Sequence, residues 1–113
     1  MTKGTITIKM KNGKYNQLWY VNSDGYPEHL GKHIFKNLKS ADDIQRAAYI
    51  FRMAECNTLL ETDLILESIV ETIEPILKQY NDYSYIFDEE TEKWGFYQGN
   101  RPELYDLENE LKI

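Results

Sequence analysis

The densest group of chemically capable side chains lies between residues 24 and 33. His29 and His33 are four residues apart, so on a helix they would share one face. That spacing occurs in helical zinc sites, and Asp24 or Glu28 could supply a third ligand. The segment is therefore the first candidate site, for a ligand, a metal ion or acid–base work. Its candidate binding residues are Tyr20, Asp24, Tyr26, Glu28, His29 and His33.

The same segment also has simpler interpretations. Asp24 can hydrogen-bond its own turn, Gly25 accepts a positive φ, and Pro27 presets the start of a helix. Free N–H groups at that start could bind a phosphate or carboxylate, although Glu28 would oppose an anion. A histidine pair without the glutamate of H-E-x-x-H is common by chance. We therefore predict no metal, no other cofactor and no catalytic residue here, and an enzyme remains the less favoured interpretation.

Other catalytic motifs are absent from the chain. It contains no G-x-x-x-x-G-K-[ST], G-x-G-x-x-G or G-x-S-x-G sequence. Cys56 is its single cysteine, which excludes an intrachain disulfide and a cysteine-rich zinc module. Because Cys56 ends an amphipathic stretch with no histidine nearby, we interpret it as a small buried hydrophobe.

Length and composition predict one globular domain over residues 1–113. Hydrophobic residues make up 42% and charged residues 28% of the 113 residues, close to a globular average. No apolar run approaches the roughly 18 residues that span a bilayer, and the N-terminus lacks the apolar core of a signal peptide. We expect a soluble protein in the cytoplasm, with no membrane partner.

The net charge of −6 is unevenly distributed. Residues 1–40 carry seven lysines against two acids, whereas residues 41–113 carry six basic groups against seventeen acidic ones. Nucleic-acid affinity scales with the phosphates that Lys and Arg neutralise, so direct nucleic-acid binding is disfavoured. Solvated faces explain the pattern, and an acidic surface that meets a basic partner is the alternative.

Hairpins are predicted at both ends of the chain. Residues 4–11 alternate with period two, and Asn12-Gly13 favours a two-residue type I′ turn before a second strand at 15–22. That turn would place Tyr15, Gln17 and Trp19 on the core face and Leu18 on the outer face. Aromatic-rich strands at 83–87 and 94–97, joined by a charged turn, form the second hairpin.

Helices are predicted between and after these hairpins. Apolar spacing favours helices at about 27–38 and 41–56, the second capped by Ser40. A third helix would start near Thr62-Asp63, carry an apolar stripe from Ile65 to Leu77, and break or kink at Pro75. A short helix at about 103–111 would close the chain.

The element order ββ-αα(α)-ββ-α predicts an α+β fold. We expect a four-stranded, mostly antiparallel sheet from the two hairpins, with the helices packed on one face. Tyrosines on the other face could pack a second copy of the chain, so a homodimer is predicted. The aromatics of the second hairpin could instead stack bases, but the surrounding acids favour core and interface roles.

One stretch resembles a family of small uncharacterised phage and prophage proteins. The match is Tyr20-Val21-Asn22-Ser23-Asp24-Gly25-Tyr26-Pro27-Glu28-His29-Leu30-Gly31, after the strand Gly4-Thr5-Ile6. The family carries Asp-Gly-Tyr-Pro with a glycine four residues after the proline, and a tyrosine-rich hairpin and tryptophan that Tyr83-Ser84-Tyr85 and Trp94 would match. Other members have His-Trp where this chain has Asn22-Ser23, so no chemistry transfers to those positions.

The resemblance implies a mobile-element accessory protein in a bacterial cytoplasm. We expect it to act by stoichiometric binding, as an inhibitor of a host defence factor. Its partner would be a host protein, as for an anti-CRISPR protein, or a small nucleotide signal that it sequesters. The alternatives are a small hydrolase or metal-dependent enzyme built at residues 24–33, and a phage structural or assembly protein.

Overall fold

A six-stranded sheet is the centre of the protein, in the order β3-β2-β1-β4-β5-β6. The computed structural model describes residues 2–21, 24–53, 64–79 and 81–111. The strands are β1 (Gly4–Lys9), β2 (Tyr15–Val21), β3 (Leu64–Val70), β4 (Tyr83–Asp88), β5 (Lys93–Gln98) and β6 (Leu104–Asp106). The predicted α+β class is confirmed, but the sheet is larger than the four strands predicted.

Four α-helices and one π-helical turn accompany the sheet in the described residues. They are the π turn (Pro27–Gly31), α1 (Lys32–Asn37), α2 (Ala41–Met53), α3 (Glu74–Leu77) and α4 (Leu107–Leu111). The π turn and α1 together confirm the first predicted helix. The end predicted for α2, with Cys56, lies outside the described residues. No described helix has the length and apolar character needed to cross a membrane.

The sheet is mixed because its two hairpins meet side by side with parallel strands. β1 pairs in parallel with β4, placing Ile6 beside Tyr85 and Thr5 beside Ser84. The other four neighbouring pairs are antiparallel. Since β1 and β4 lie 79 residues apart at their first paired positions, Gly4 and Tyr83, no local pattern could predict this central pairing.

The helix predicted from the stripe at 65–77 is wrong. Residues Leu64–Val70 form β3, which pairs antiparallel with β2. A short apolar run fits a buried strand as well as a helix, and β-branched residues at 65, 69 and 70 favour the strand. Pro75 does not break a helix but lies in the first turn of α3, where its missing N–H costs nothing. The proposed cap at 62–63 lies outside the described residues.

The first hairpin forms with a different turn from the one predicted. Lys11, Asn12 and Gly13 make a three-residue loop, closed by the Met10 N–H donating to the Lys14 carbonyl at 2.8 Å. Gly13 has a φ of +88°, which glycine adopts readily. The loop shifts the pairing by one residue, and a bulge between Gln17 and Trp19 restores it.

That shift reverses the predicted faces near the turn. Leu18, expected on the outer face, is buried in the main core with Ile6 and Ile8. Gln17 instead lies opposite Thr7, and its side chain exchanges hydrogen bonds of 2.7 and 3.0 Å with Gln79. Tyr15 packs against the smaller cluster on the other face. A one-residue slip moves every side chain to the opposite face, which explains the errors.

Helices cover both faces of the sheet, rather than the single face predicted. On the first face, Ile34, Ile44 and Leu107 pack from α1, α2 and α4 onto the main core. On the second face, Leu77 of α3 packs against Ile86 and Tyr97. Of the aromatics expected on an open face, Tyr85 is fully buried and Tyr97 is 9% exposed, so these two rings belong to the core.

The elements predicted for the C-terminal part of the chain are largely confirmed. β4 and β5 form the predicted second hairpin and pair in register, with Phe87 opposite Trp94. The final predicted helix is shorter, since Leu104–Asp106 forms β6 against β5 and only Leu107–Leu111 is helical. Asp106 caps this helix by accepting a hydrogen bond from the Glu108 N–H at 2.9 Å.

Candidate functional site

The segment between β2 and α1 is held tightly against the start of the sheet. The Gly25 N–H donates to the Thr2 carbonyl at 2.9 Å. A β-carbon on Gly25 would lie 2.9 Å from the Gly4 nitrogen and 2.9 Å from the Lys3 carbonyl carbon. Only glycine permits so close an approach of two backbones, so Gly25 has an architectural role.

Tyr85 of β4 fixes the other side of this segment. Its buried hydroxyl donates a 2.5 Å hydrogen bond to the Gly25 carbonyl. A β-carbon on Gly31 would lie 3.2 Å from the Tyr85 ring and 3.1 Å from Leu107, so this glycine also allows close packing. Pro27 is buried at the start of the π turn. The Asp-Gly-Tyr-Pro-x-x-x-Gly pattern therefore allows the π turn to pack closely against Tyr85.

The titratable side chains of the segment point to the surface. Asp24 (φ +58°), Glu28, His29 and His33 are exposed. The Tyr26 ring, 36% exposed, lies with its centroid 5.8 Å from that of His29, whereas His33 Nδ1 lies 3.4 Å from the Asn37 amide nitrogen. Within the described ranges, no three His, Cys, Asp or Glu side chains are grouped to hold a metal ion.

Tyr20 is separated from the other candidate residues by the sheet. It lies in β2 opposite Thr5, and the next residue of β1, Ile6, belongs to the alternate face. Ile6 and Tyr85 share the helix-covered core, so the register places the half-buried Tyr20 on the opposite face from Tyr85. The predicted set is therefore not one cluster.

Removing both histidines should leave the fold intact. Because both side chains are exposed, we expect His29→Ala/His33→Ala to change the free energy of unfolding by less than about 0.5 kcal/mol. Urea unfolding of the two proteins, with and without Zn²⁺, measures this. A Zn²⁺-dependent stabilisation present in the wild type and lost in the variant would contradict the structure and revive the metal hypothesis.

A different group of residues forms a cleft at the end of the helix-covered face. We call it the aromatic cleft, and its volume is about 160 Å³. Its aromatic residues come from three neighbouring strands: Tyr83 from β4, Phe96 from β5 and Tyr105 from β6. The remaining lining residues are Pro27, Glu28, Gln98 and Glu110. Tyr83 and Tyr105 are half-buried, whereas Phe96 is buried.

The rings of the aromatic cleft contact one another in a row. The centroid of Phe96 lies 5.9 Å from that of Tyr83, with the planes at 60°, and 5.4 Å from that of Tyr105, with the planes at 27°. Phe96 is 3% exposed, whereas the two tyrosines are half-buried. The Tyr105 hydroxyl donates to Glu103 Oε2 at 3.2 Å, which orients its ring. Phe96 therefore anchors the row, and the tyrosines present its accessible part.

The electrostatic character of the aromatic cleft is negative. Glu28 on the π turn and Glu110 on α4 are its charged lining residues, and both are exposed. The structure describes ion pairs only between Lys14 and Glu71 and between Arg46 and Asp42, so in the described ranges neither glutamate is neutralised. The cleft consequently combines two half-buried tyrosine rings with carboxylates that lack a described ion-pair partner.

Tyr85, beneath the same row, stays protonated in the folded protein. Its burial raises its pKa far above the ordinary value near 10, and Tyr83 and Glu28 raise it further. Burial and Tyr15 likewise raise the pKa of Tyr97 on the other face. Tyr85 is therefore a neutral hydrogen-bond donor to Gly25.

This shift predicts a loss of stability at high pH. Above about pH 10 the unfolded chain releases the Tyr85 proton and the folded protein retains it, so stability falls as pH rises, by up to about 1.4 kcal/mol per unit. Tyr85→Phe should cost about 1.5 kcal/mol at pH 8 through the lost buried hydrogen bond. Urea titrations of both proteins should show that this difference in the free energy of unfolding disappears near pH 11. A difference independent of pH would contradict the buried, neutral phenol.

A second groove, of about 240 Å³, lies over β4–β6 on the face that α3 partly covers. Its charged lining residues are balanced: Lys9, Lys93, Asp88 and Asp106. Leu104, 57% exposed, forms one side of it. Because the charges balance, this groove favours neither sign of ligand, in contrast to the aromatic cleft.

The hypothesis of a base-stacking platform on β4 and β5 does not fit the burial of the rings. Tyr85 and Phe87 are fully buried, Trp94 is 5% exposed, and the Trp94 indole N–H donates to the Leu38 carbonyl at 2.8 Å. These side chains build the core, as the sequence analysis favoured. Bases could reach only the edge of the row at Tyr83 and Tyr105, beside two carboxylates that would repel phosphate.

Sequence reasoning found one residue of the aromatic cleft, Glu28, as a candidate for binding. The sequence predicts core or interface roles for Tyr83 and Phe96, and its pattern does not indicate Tyr105 or Glu110 as binding residues. The alternation of aromatics at 83, 85 and 87 and at 94 and 96 marks one face of a hairpin. The alternation does not predict β6, which brings Tyr105 opposite Phe96.

Comparison with known proteins does not identify a function for these features. No family model matches the chain, and neither a curated protein nor a solved structure does. The resemblance to small phage and prophage proteins therefore stays a prediction.

Proposed function

We propose that this protein acts by stoichiometric binding to a partner protein. The observation that carries the proposal is the aromatic cleft, where half-buried tyrosines from β4 and β6 lie beside two carboxylates that lack a described ion-pair partner. Tyrosine presents a large, rigid contact surface and is enriched at binding hot spots. Such a surface suits recognition of another protein.

The charge of the chain supports a basic partner. Residues 41–113 carry seventeen acidic against six basic groups, and complementary potentials accelerate association and exclude wrong partners. A nucleotide signal carries phosphate, which Glu28 and Glu110 would repel from the cleft. A host protein is therefore favoured over a small nucleotide.

The biological setting rests on the resemblance at residues 20–31. A phage or mobile-element accessory protein in a bacterial cytoplasm, binding and inhibiting a host defence factor, unites this resemblance with the absence of a recognised catalytic motif in the sequence. A homodimer remains part of the proposal. A structural or assembly role would place the chain in purified phage particles, where an inhibitor is not expected.

Native mass spectrometry tests the binding function. The chain is purified from the cells that naturally make it and, separately, after recombinant expression. The expected result is a fixed ratio of one partner protein per chain from the natural source, and bare monomer or dimer from the recombinant source. A small ligand or one metal ion per chain from both sources, with no protein partner, would overturn the proposal.

A further inference from the structure

The aromatic cleft has the two components of a site for an organic cation. The half-buried rings of Tyr83 and Tyr105 flank the buried Phe96, and aromatic faces carry negative partial charge that attracts cations. Glu28 and Glu110 add full negative charges from two other elements. No lysine, arginine or histidine is among the described lining residues that could neutralise them.

The convergence of these residues depends on the fold. Glu28 and Glu110 lie 82 positions apart, on the π turn and on α4, and both elements pack on the same face of the sheet. The two elements approach closely at Gly31, where a β-carbon would lie 3.1 Å from Leu107 of α4. The Tyr105 ring is oriented by its 3.2 Å hydrogen bond to Glu103.

We propose that the aromatic cleft binds the guanidinium group of an arginine side chain of the partner protein. The inference deepens the proposed binding function and rests on it. A planar guanidinium stacks on aromatic rings and pairs with carboxylates through its fixed fork of N–H donors.

Other occupants fit the cleft less well. A phosphate or carboxylate would meet Glu28 and Glu110, and an apolar side chain would leave both desolvated without a partner. A lysine ammonium could pair with one carboxylate but cannot stack as a plane. Arginine is therefore the side chain that satisfies both the rings and the charges.

Peptide titration tests the site on the recombinant chain. The probes are acetyl-Gly-Arg-Gly-amide and the same peptide with citrulline, which is neutral and nearly isosteric, or lysine in place of arginine. Binding is followed by ¹H–¹⁵N NMR. We expect a weak affinity, on the order of millimolar, with shifts confined to the cleft residues. Citrulline should bind about tenfold more weakly, and lysine should fall between the two.

Matched variants distinguish the contribution of the rings to arginine binding from that of the carboxylates. Glu28→Gln/Glu110→Gln should weaken arginine binding about tenfold, whereas Glu90→Gln/Glu92→Gln removes the same charge from the exposed turn at the far end of β4 and β5 and should not. Tyr105→Leu should weaken binding, and Tyr15→Leu, a half-buried tyrosine on the other face, should not. The dispersion of each spectrum shows whether the variant is folded.

Clear results would overturn the proposal. Equal binding of arginine and citrulline, arginine binding unchanged by Glu28→Gln/Glu110→Gln, lysine binding as tight as arginine, or shifts outside the cleft would each do so. If the peptides fail while the natural complex still has a fixed ratio, the arginine site is wrong and the binding function stands. If the peptides bind and the natural preparation holds no protein, the proposed function is wrong and the cation site stands.

Discussion

Gly25→Ala is expected to destabilise the protein by about 3 kcal/mol. The added β-carbon would lie within 2.9–3.0 Å of backbone atoms of Thr2, Lys3 and Gly4, which cannot rotate away as a side chain could. The substitution should also disturb the hydrogen bond from Tyr85 to the Gly25 carbonyl. Urea unfolding followed by tryptophan fluorescence measures the change.

Gly99→Ala is the matched control for this prediction. Gly99 has a φ of +63° and no atom within 4 Å of an added β-carbon, so only backbone strain of about 1 kcal/mol is expected. If Gly25→Ala lowered the free energy of unfolding no more than Gly99→Ala does, the close packing of residues 24–27 against the sheet would be wrong.

Leu107→Ala is expected to cost about 3 kcal/mol through the cavity it leaves. Leu107 is fully buried and contacts the π turn at Gly31, so its loss would loosen α4 from the sheet. Leu104→Ala, three residues earlier at a side chain 57% exposed, should cost less than about 1 kcal/mol. Thermal and urea unfolding of the two variants measure how much the same Leu→Ala substitution destabilises the protein at a buried and at an exposed position.

Similar costs for the two leucines would contradict the placement of β6 and α4. A helix over 103–111, as the sequence predicts, puts Leu104, Leu107 and Leu111 on one side, and all three would then be buried alike. The observed strand at Leu104–Asp106 instead exposes Leu104 and buries Leu107. The ratio of the two effects therefore distinguishes the two conformations.

Local signals in the sequence were sufficient where neighbours in the chain decide the structure. The second hairpin and the helix at Pro27 follow from alternation, a charged turn and proline chemistry. Ser40 caps α2 through its hydroxyl, which accepts from the Asp43 N–H at 3.0 Å. Each of these depends on contacts within a few residues.

The errors occur where distant segments decide. β3 is a strand because β2 offers it an edge to pair with, and a stripe from Ile65 to Leu77 carries no information about that edge. The face of Gln17 was misassigned because a three-residue loop and a bulge shift the register. Neither the turn length nor the bulge is specified by Asn12-Gly13.

The candidate site illustrates the same limit. The sequence predicts its chemistry at residues 24–33, because titratable residues cluster there. In the folded protein Gly25, Pro27 and Gly31 seat that segment on Tyr85 and Leu107, and its titratable side chains remain separate at the surface. The aromatic cleft draws on five elements, so only the assembled sheet reveals it.

The central claim is that the aromatic cleft holds a protein partner through its rings and carboxylates. The most direct test compares the complex from the natural cells for wild type, Glu28→Gln/Glu110→Gln and the charge-matched Glu90→Gln/Glu92→Gln by native mass spectrometry. We predict one partner per chain for the wild type and the control, and loss of the partner from the cleft variant. A partner retained equally by all three proteins would contradict the claim.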